Sequence, residues 1–122
     1  MGKQNKREAI YQRDVKRRVH DMFGVNIKYM YKSSPYAPQG WPDLTIVFKN
    51  GRNAYLEIKR DKNANKQPNQ EHYVRELNKM GLFAAIVYPE NEEQVMLDFM
   101  DWFVECQKVD STVDGLVKTV FG

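Results

Sequence analysis

Three ionisable residues near the middle of the chain have the types and spacing needed for metal-assisted cleavage of a phosphodiester bond. Asp43 ends the segment Gly-Trp-Pro-Asp at 40–43, and Glu57 and Lys59 flank Ile58 further along the chain. Carboxylate oxygens suit Mg²⁺ or Mn²⁺, and such a metal can polarise a phosphate and deliver a bound water as the nucleophile. The peptide oxygen of Ile58 is a further candidate metal ligand.

Lys59 would serve the same reaction in a different way. Its ammonium charge is favoured by two neighbouring carboxylates. We therefore expect Lys59 to orient the attacking water and to stabilise developing negative charge, rather than to act as a general base. The alternative interpretation is structural, with Asp43 at the start of a strand and Glu57 and Lys59 on an exposed strand face. Glu-x-Lys alone has almost no specificity, so the prediction depends on its surroundings.

A β-hairpin is the element that would bring these side chains together. The Asn-Gly pair at 50–51 predicts a two-residue turn, with φ > 0 tolerated at both positions. It separates strands that we predict at 43–49 and 53–60. Side chains alternate along a strand, so Glu57 and Lys59 must project from the same face.

Hydrophobic periodicity and turn signals predict the remaining elements. They are a helix at 5–23, a strand at 26–31, a helix from about 68 to 80, a strand at 82–88, a helix from about 91 to 107 and a last short helix from Ser111. The first helix should bury the face that carries Tyr11, Val15, Val19 and Met22, and the third should turn Val95, Phe99, Phe103 and Cys106 inward. The strand at 26–31 should alternate, with Ile27, Tyr29 and Tyr31 on one face. Pro68 suits the first turn of its helix, and Gly81 suits the stop after it. The stretch 53–88 reads as strand, crossover helix, strand. The order predicts one domain, 1–122, of α/β class with a mixed sheet flanked by helices.

Glu8 lies on the apolar stripe of the first predicted helix, one turn before Tyr11. A carboxylate on that stripe is unexpected, because burying an unpaired charge is costly. Two explanations remain open. Asn5 and Glu8 fit a capping box, in which Glu8 reaches back to the first turn. Alternatively, Glu8 points into a metal site at the edge of the core.

Charge is distributed unevenly along the chain. Residues 1–66 contain 15 lysines and arginines against 6 acidic residues, whereas residues 67–122 contain 4 against 10. The basic half also carries Asp43, Glu57 and Lys59, which favours nucleic acid as a partner; a solvated charged surface is the alternative. The candidate phosphate contacts are Lys6, Arg7, Arg13, Arg17, Lys62 and Lys66.

Aromatic side chains occur in two segments of the chain, and in each segment they allow two interpretations. In the proline-rich segment 33–42, Tyr36 and Trp41 are candidates for stacking on an unpaired base, although loop anchoring or core packing explains Trp41 equally well. Near the other end, Trp102 and the apolar residues after it either complete the core of the monomer or bury against a partner subunit.

The cysteine count and the apolar runs limit the class of protein. Cys106 is the one cysteine, which excludes an internal disulfide and a cysteine-based zinc cluster. The first residues are polar and basic, without the apolar region of a signal peptide, and no apolar run reaches membrane-spanning length. We therefore expect a soluble protein that acts in the cytoplasm.

The motifs together resemble a known group of nucleases. The Gly-Trp-Pro-Asp segment, the Glu57-x-Lys59 motif, and Gln70 with Leu77 and Gly81 before an apolar strand are similar to the VRR-NUC group of the PD-(D/E)XK superfamily, in its compact stand-alone phage and bacterial form. The spacing also resembles archaeal-type Holliday junction resolvases, which carry a glutamate in the N-terminal helix. The resemblance covers residues 5–90. The sequence departs from the group's Arg-Arg pair, because only Arg75 is present after Gln70.

The resemblance implies a restriction-endonuclease-like fold and a function. It implies that Asp43 and Glu57 ligate Mg²⁺ or Mn²⁺, that Lys59 is catalytic, and that Glu8 and Gln70 assist in the active site, with Glu8 as a further candidate metal ligand. It further implies an endonuclease that cleaves branched DNA, such as four-way junctions, as a homodimer in a bacterial or phage-infected cell. The alternatives are a flap or nicking endonuclease with the same site, and a DNA-binding module that no longer cleaves.

Overall fold

A computed structural model describes residues 6–64 and 68–121 of the chain, with 109–121 described as backbone alone. Apart from a 3₁₀ turn that the sequence did not predict, three helices and four strands of the described residues follow one another in the predicted order helix, strand, strand, strand, helix, strand, helix. The elements are α1 (Lys6–Phe23), a 3₁₀ turn (Gly24–Asn26), β1 (Ile27–Lys32), β2 (Leu44–Phe48), β3 (Asn53–Ile58), α2 (Gln70–Lys79), β4 (Phe83–Val87) and α3 (Glu92–Phe121). None of the described helices is long and apolar enough to cross a membrane.

The strands form one mixed sheet in the order β1-β2-β3-β4. The first three strands are antiparallel neighbours, and β4 runs parallel to β3. The chain returns from β3 to β4 through α2, as a parallel connection requires. The predicted α/β class, with a mixed sheet and a strand–helix–strand unit between 53 and 88, is therefore confirmed.

The hydrophobic core lies between one face of the sheet and the helices α1 and α3. Val15, Val19 and Phe23 of α1 are buried there, as predicted from their helical spacing for the first two. Phe99 of α3 stacks on Phe83 of β4, with ring centroids 4.5 Å apart and planes nearly parallel. Burial of large aromatic and aliphatic side chains is the main term that holds these layers together.

The predicted inward face of the third helix is confirmed, because Val95, Phe99, Phe103 and Cys106 are all buried. Trp102 packs against the rings of the same cluster and donates a hydrogen bond from its indole Nε1 to the oxygen of Gly81, 2.9 Å away. Of the two interpretations of Trp102, completion of the monomer core is therefore the one that the structure shows. The side chains after residue 108 lie outside the described residues.

Two predicted elements differ in the structure. The short helix expected from Ser111 is the continuation of α3, which runs without a break to Phe121. Neither proline nor glycine occurs between 92 and 114, so the weak helix formers at 110–112 do not end the helix. In β1, a register shift between Ile27 and Tyr29 turns Met30 towards the core. The strict alternation expected along β1 is thus wrong, and Tyr29 is exposed.

The turn between β2 and β3 also differs from the two-residue turn that we predicted. The N–H of Gly51 donates to the oxygen of Phe48, 2.9 Å away, and the N–H of Phe48 donates to the oxygen of Arg52, also 2.9 Å away. Only Gly51 has positive φ, at 86°, and Asn50 does not. A type I turn followed by one left-handed glycine explains this, and Asn50 instead accepts a hydrogen bond from the N–H of Arg52 through its side chain.

Candidate active site

The carboxylate of Glu57 is the point where the candidate catalytic residues meet. Its Oε1 accepts a hydrogen bond from the backbone N–H of Asp43, 3.1 Å away. Its Oε2 accepts one from Nε2 of Gln70 at 2.8 Å and lies 3.0 Å from Nζ of Lys59. The structure therefore brings together four of the five residues that the sequence singled out as catalytic candidates.

The ends of two strands and the start of a helix hold these residues in place. Asp43 directly precedes β2, where the N–H of Ser33 donates to its backbone oxygen at 2.7 Å and the Ser33 hydroxyl donates to the oxygen of Pro42. Glu57 lies near the end of β3. Lys59 follows that strand, and its N–H donates to the oxygen of Val87 in β4, 2.8 Å away. Asp43, Glu57 and Lys59 are thus anchored to the sheet.

Gln70 is positioned by the start of α2, which differs from the prediction. The helix begins at Gln70 rather than at Pro68, because Asn69 before it has a left-handed conformation with φ of 72°. Gly40 of the 33–42 loop lies directly against this start. A Cβ at residue 40 would come within 2.3 Å of the oxygen of Pro68 and 2.9 Å of the nitrogen of Gln70. The loop and the helix therefore fit together only without a side chain at this position.

Trp41 ties the same loop to the sheet and to α2. Its ring makes edge contacts with Tyr55 and Tyr73, at centroid distances of 5.6 and 5.3 Å. The loop-anchoring role that the sequence left open for Trp41 is therefore present, and the residue is only partly buried. Tyr36, by contrast, is 94% exposed at the outer part of the loop.

Burial and charge act against each other at Glu57. Burial first, and then the neighbouring Asp43, raise the pKa of its carboxyl to about 7, although Lys59 opposes both. Only 3% of Glu57 is exposed. The pKa of Glu57 is close to 7, and a second carboxyl lies beside it. A positive ion bound here would be favoured, because it would stabilise the ionised carboxylates.

One polar atom of the cluster has no partner. The Oε1 atom of Gln70 is buried and accepts no hydrogen bond from the described residues. Buried acceptors in folded proteins are nearly always paired, so an unpaired one inside a polar cluster indicates that a donor such as water binds there.

Glu8 lies beside the cluster rather than within it. With Lys59, Arg60 and Ala64 it lines a cleft of about 210 Å³. Among the described residues, no three histidine, cysteine, aspartate or glutamate side chains gather closely enough to hold a metal ion. The capping alternative for Glu8 involves Asn5, which lies outside the described residues.

The predicted phosphate contacts on α1 lie on its outer surface, since Lys6, Arg7, Arg13 and Arg17 are all exposed. Lys62 is exposed in the loop after β3, and Lys66 lies outside the described residues.

Three further residues at the site were missed. Arg60 lines the cleft of Glu8 and also a neighbouring one with Arg7, and its place directly after Lys59 was a signal for it. Tyr31 and Tyr55 line a hollow near Asp43. Tyr55 was visible as a residue on the same strand face as Glu57, but Tyr31 required knowledge of the strand pairing.

Comparison with known proteins agrees with this architecture. A solved structure described as a VRR_NUC domain matches this chain with a TM-score of 0.57 and 24% sequence identity, over 75% of this chain and 91% of that chain. No protein-family model matches the sequence, and no curated protein does. The chain thus has the restriction-endonuclease-like α/β fold of a VRR_NUC domain, as its motifs predicted.

Proposed function

We propose that this chain is a divalent-metal-dependent endonuclease that hydrolyses phosphodiester bonds in DNA. The observation that carries the proposal is the convergence of Asp43, Lys59 and Gln70 on the buried carboxylate of Glu57. Burying the carboxyl of Glu57 beside a second carboxyl costs folding stability, so such a cluster is better explained by chemistry than by structure. The fold of a VRR_NUC domain supports the same assignment.

The donor atoms fit a hard divalent cation. Asp43 and Glu57 would hold Mg²⁺ or Mn²⁺ through their carboxylate oxygens, with the backbone oxygen of Ile58 as a further ligand and Glu8 in the adjoining cleft. Two protein carboxylates leave positions for water and for phosphate, which is the usual arrangement for Mg²⁺. When bound, the metal polarises the phosphate and activates water for attack.

The chain's own residues orient the reacting groups. The ammonium of Lys59, 3.0 Å from Glu57, is placed to orient the attacking water and to offset the charge that develops on the phosphate. Gln70 holds Glu57 through Nε2, and its unpaired Oε1 can accept a hydrogen from water in the site. Glu57 is thereby kept in one orientation by donors from three sides.

The surface around the site suits a DNA backbone. Helix α1 carries exposed basic residues and also Glu8, which lines the cleft with Lys59. Basic side chains next to the reactive cluster would bind phosphates and position DNA without reading its sequence. We further propose that branched DNA, including four-way junctions, is cut by a homodimer, because a two-fold dimer presents two equivalent sites for two symmetric cuts.

A cleavage assay tests this function. Labelled four-way junction, flap and linear duplex DNA are each incubated with the pure protein in Mg²⁺, Mn²⁺ or EDTA. We expect paired symmetric cuts in the junction that EDTA abolishes. Cuts in flaps or nicks alone would preserve the endonuclease and exclude junction cleavage. DNA binding without metal-dependent cleavage of any substrate would contradict the proposal and favour a binding module.

A further inference from the structure

The sheet face that carries Glu57 is partly exposed on the side of β1, although Thr45 of β2 is buried. Tyr31 pairs with Thr45, and Thr45 pairs with Tyr55, so these three side chains lie next to one another across three strands. Glu57 lies two residues beyond Tyr55 and therefore on the same face. Helix α2 packs against β4 at the other edge of the sheet, and Tyr31 remains 52% exposed.

A hollow of about 250 Å³ occupies this open part of the face. The rings of Tyr31, Trp41 and Tyr55 line it, together with Ser33 and Thr45. Three aromatic side chains and a few polar groups among the lining residues make this space mainly apolar. Such a space suits a planar heterocycle better than an aliphatic chain.

The hollow adjoins the proposed catalytic centre. A second hollow, of about 330 Å³, shares Ser33 and Trp41 with the first and extends to Asp43. Lys32 also lines this second hollow and supplies a positive charge to it. A nucleotide would find a ring-lined space for its base and a cation for its phosphate within one continuous surface.

The walls of the hollow are already in place without a ligand. Trp41 is wedged between Tyr55 and Tyr73, and Ser33 is hydrogen-bonded to the backbone oxygen of Asp43. A site whose walls are held by the protein loses little conformational entropy when it binds. Aromatic side chains that are held in place before a ligand binds therefore favour a binding site over an ordinary part of the protein surface.

We infer that this hollow binds an unpaired nucleobase of the DNA strand next to the bond that is cut. The site rests on the proposed function and deepens it, because it specifies the form of the substrate. Every base has a π-face that can stack on an aromatic ring, but a paired base inside a duplex is enclosed by its own neighbours. The enzyme should therefore prefer DNA with an unpaired nucleotide at a branch point over continuous duplex.

The test is equilibrium binding in EDTA, where no cleavage interferes. The probes are a branched DNA with 2-aminopurine at an unpaired position beside the branch, and a continuous duplex with the same analogue paired. Tyr31→Thr removes the ring and keeps a residue that favours strands, whereas Tyr31→Phe keeps the ring. Tyr29→Thr is the matched control, because Tyr29 is an exposed tyrosine of the same strand that does not line the hollow.

We expect the wild-type protein and Tyr31→Phe to quench the analogue in the branched DNA. Tyr31→Thr should weaken binding of that DNA by about five- to a hundredfold, the range of one lost base–aromatic stack, and leave duplex affinity unchanged. Tyr29→Thr should change neither. Equal losses in the Tyr31→Thr and Tyr29→Thr proteins, or an equal loss for branched and duplex DNA, would overturn the inference.

Two further outcomes separate this inference from its alternatives. If Tyr31→Thr dissociates a dimer, as measured by light scattering, yet retains affinity for the branched DNA, the hollow is an interface between copies and the inference fails. If the wild-type protein binds the unpaired base through Tyr31 but cuts no DNA in Mg²⁺, the base site stands and the proposed endonuclease does not. Metal-dependent cleavage without any effect of Tyr31 on affinity rejects the base site alone.

Discussion

At the scale of single residues, the site depends on how the buried carboxyl of Glu57 can still ionise. Burial and the adjacent Asp43 favour the neutral carboxyl, whereas Lys59 favours the carboxylate. The N–H donors of Asp43 and Gln70 each bind one of the two carboxyl oxygens. In the proposed function, a bound divalent cation would offset the negative charge of this carboxyl when it is ionised.

The stability of the metal-free protein should consequently decrease as Glu57 ionises. Its pKa is raised from 4.5 to about 7, first by burial and then by Asp43. Between these two values the folded protein binds more protons than the unfolded chain, so the contribution is fully present below pH 4.5 and is lost as the pH rises through about 7. The free energy of unfolding should fall by up to about 3 kcal/mol across this window.

Urea unfolding in EDTA at a series of pH values measures this fall, with Asp43→Asn as the comparison. The substitution removes one cause of the raised pKa of Glu57 and leaves burial, so the fall should become smaller without vanishing. Identical pH dependence in the two proteins would show that Asp43 has no part in it. Mg²⁺ should stabilise the wild-type protein more above this window than below it, since metal ions bind the ionised carboxylates.

Asp43→Asn should also separate cleavage from binding. The asparagine keeps the backbone N–H that donates to Glu57, but it lacks the charge that would hold the metal. We expect the rate of cleavage to fall by more than about a hundredfold, because even partners of metal ligands contribute ten- to a hundredfold. Affinity for DNA, measured by anisotropy, should remain. Asp101→Asn, an exposed acidic residue on α3, is the control, and unchanged cleavage by Asp43→Asn would refute the site.

At the scale of elements, local sequence determined which side chains face the site, but not how the elements meet. Glu57 and Lys59 lie on one face because a strand has a period of two, which the sequence shows directly. The starting point of α2 was mispredicted, since Pro68 is compatible with a first helical turn. What excludes it is Asn69 in a left-handed conformation, where the incoming loop packs through Gly40. Contacts of this kind join residues far apart in sequence and leave no local pattern.

The same limit explains the hollow of aromatic side chains. Tyr55 could be placed on the face of Glu57 from the sequence alone, whereas Tyr31 joins it only through the register of β1 against β2. The register shift between Ile27 and Tyr29 changes which residues of β1 face the core. The alternation of residues along β1 does not predict this shift. Faces of strands were therefore predictable, and neighbours across strands were not.

The contact between the loop and α2 leads to a prediction about Gly40. Gly40→Ala would place a Cβ 2.3 Å from the oxygen of Pro68, in a backbone with φ of 90° that disfavours alanine. The start of α2 must move, and Gln70 moves with it. We expect a loss of about 3 kcal/mol or more in the free energy of unfolding, together with loss of cleavage by the protein that remains folded.

Gly51→Ala is the control that isolates backbone strain from the clash. Gly51 has nearly the same φ, 86°, but a Cβ there meets nothing within 4 Å. This variant should lose only about 1 kcal/mol and keep its cleavage activity. Urea unfolding and a cleavage assay on both proteins decide the matter. Equal effects of the two substitutions would show that the close approach at Gly40 has no role in placing Gln70.

At the scale of the whole molecule, the uneven distribution of charge along the sequence corresponds to an uneven distribution over the protein surface. Basic residues of the first half lie on the outer surface of α1, whose Glu8 lines the cleft of the site. Not every basic residue of α1 is available to DNA, because Arg18 forms ion pairs with Glu92 at 2.6 Å and Glu93 at 2.7 Å. That pairing ties α1 to the start of α3, where Tyr11 also donates to Glu92.

Arg17 and Arg18 therefore make a matched pair for testing how α1 binds DNA. Arg17→Gln removes an exposed charge, so DNA affinity should fall for all sequences, and the slope of log affinity against log salt should become shallower by about 1. Arg18→Gln should leave that slope unchanged and lower the free energy of unfolding by about 1 kcal/mol or less, since its ion pairs are partly exposed. Fluorescence anisotropy over a range of salt concentrations, with urea unfolding of the same proteins, measures both quantities. A change of slope in Arg18→Gln as large as in Arg17→Gln would mean that total charge, rather than the outer surface of α1, sets the affinity.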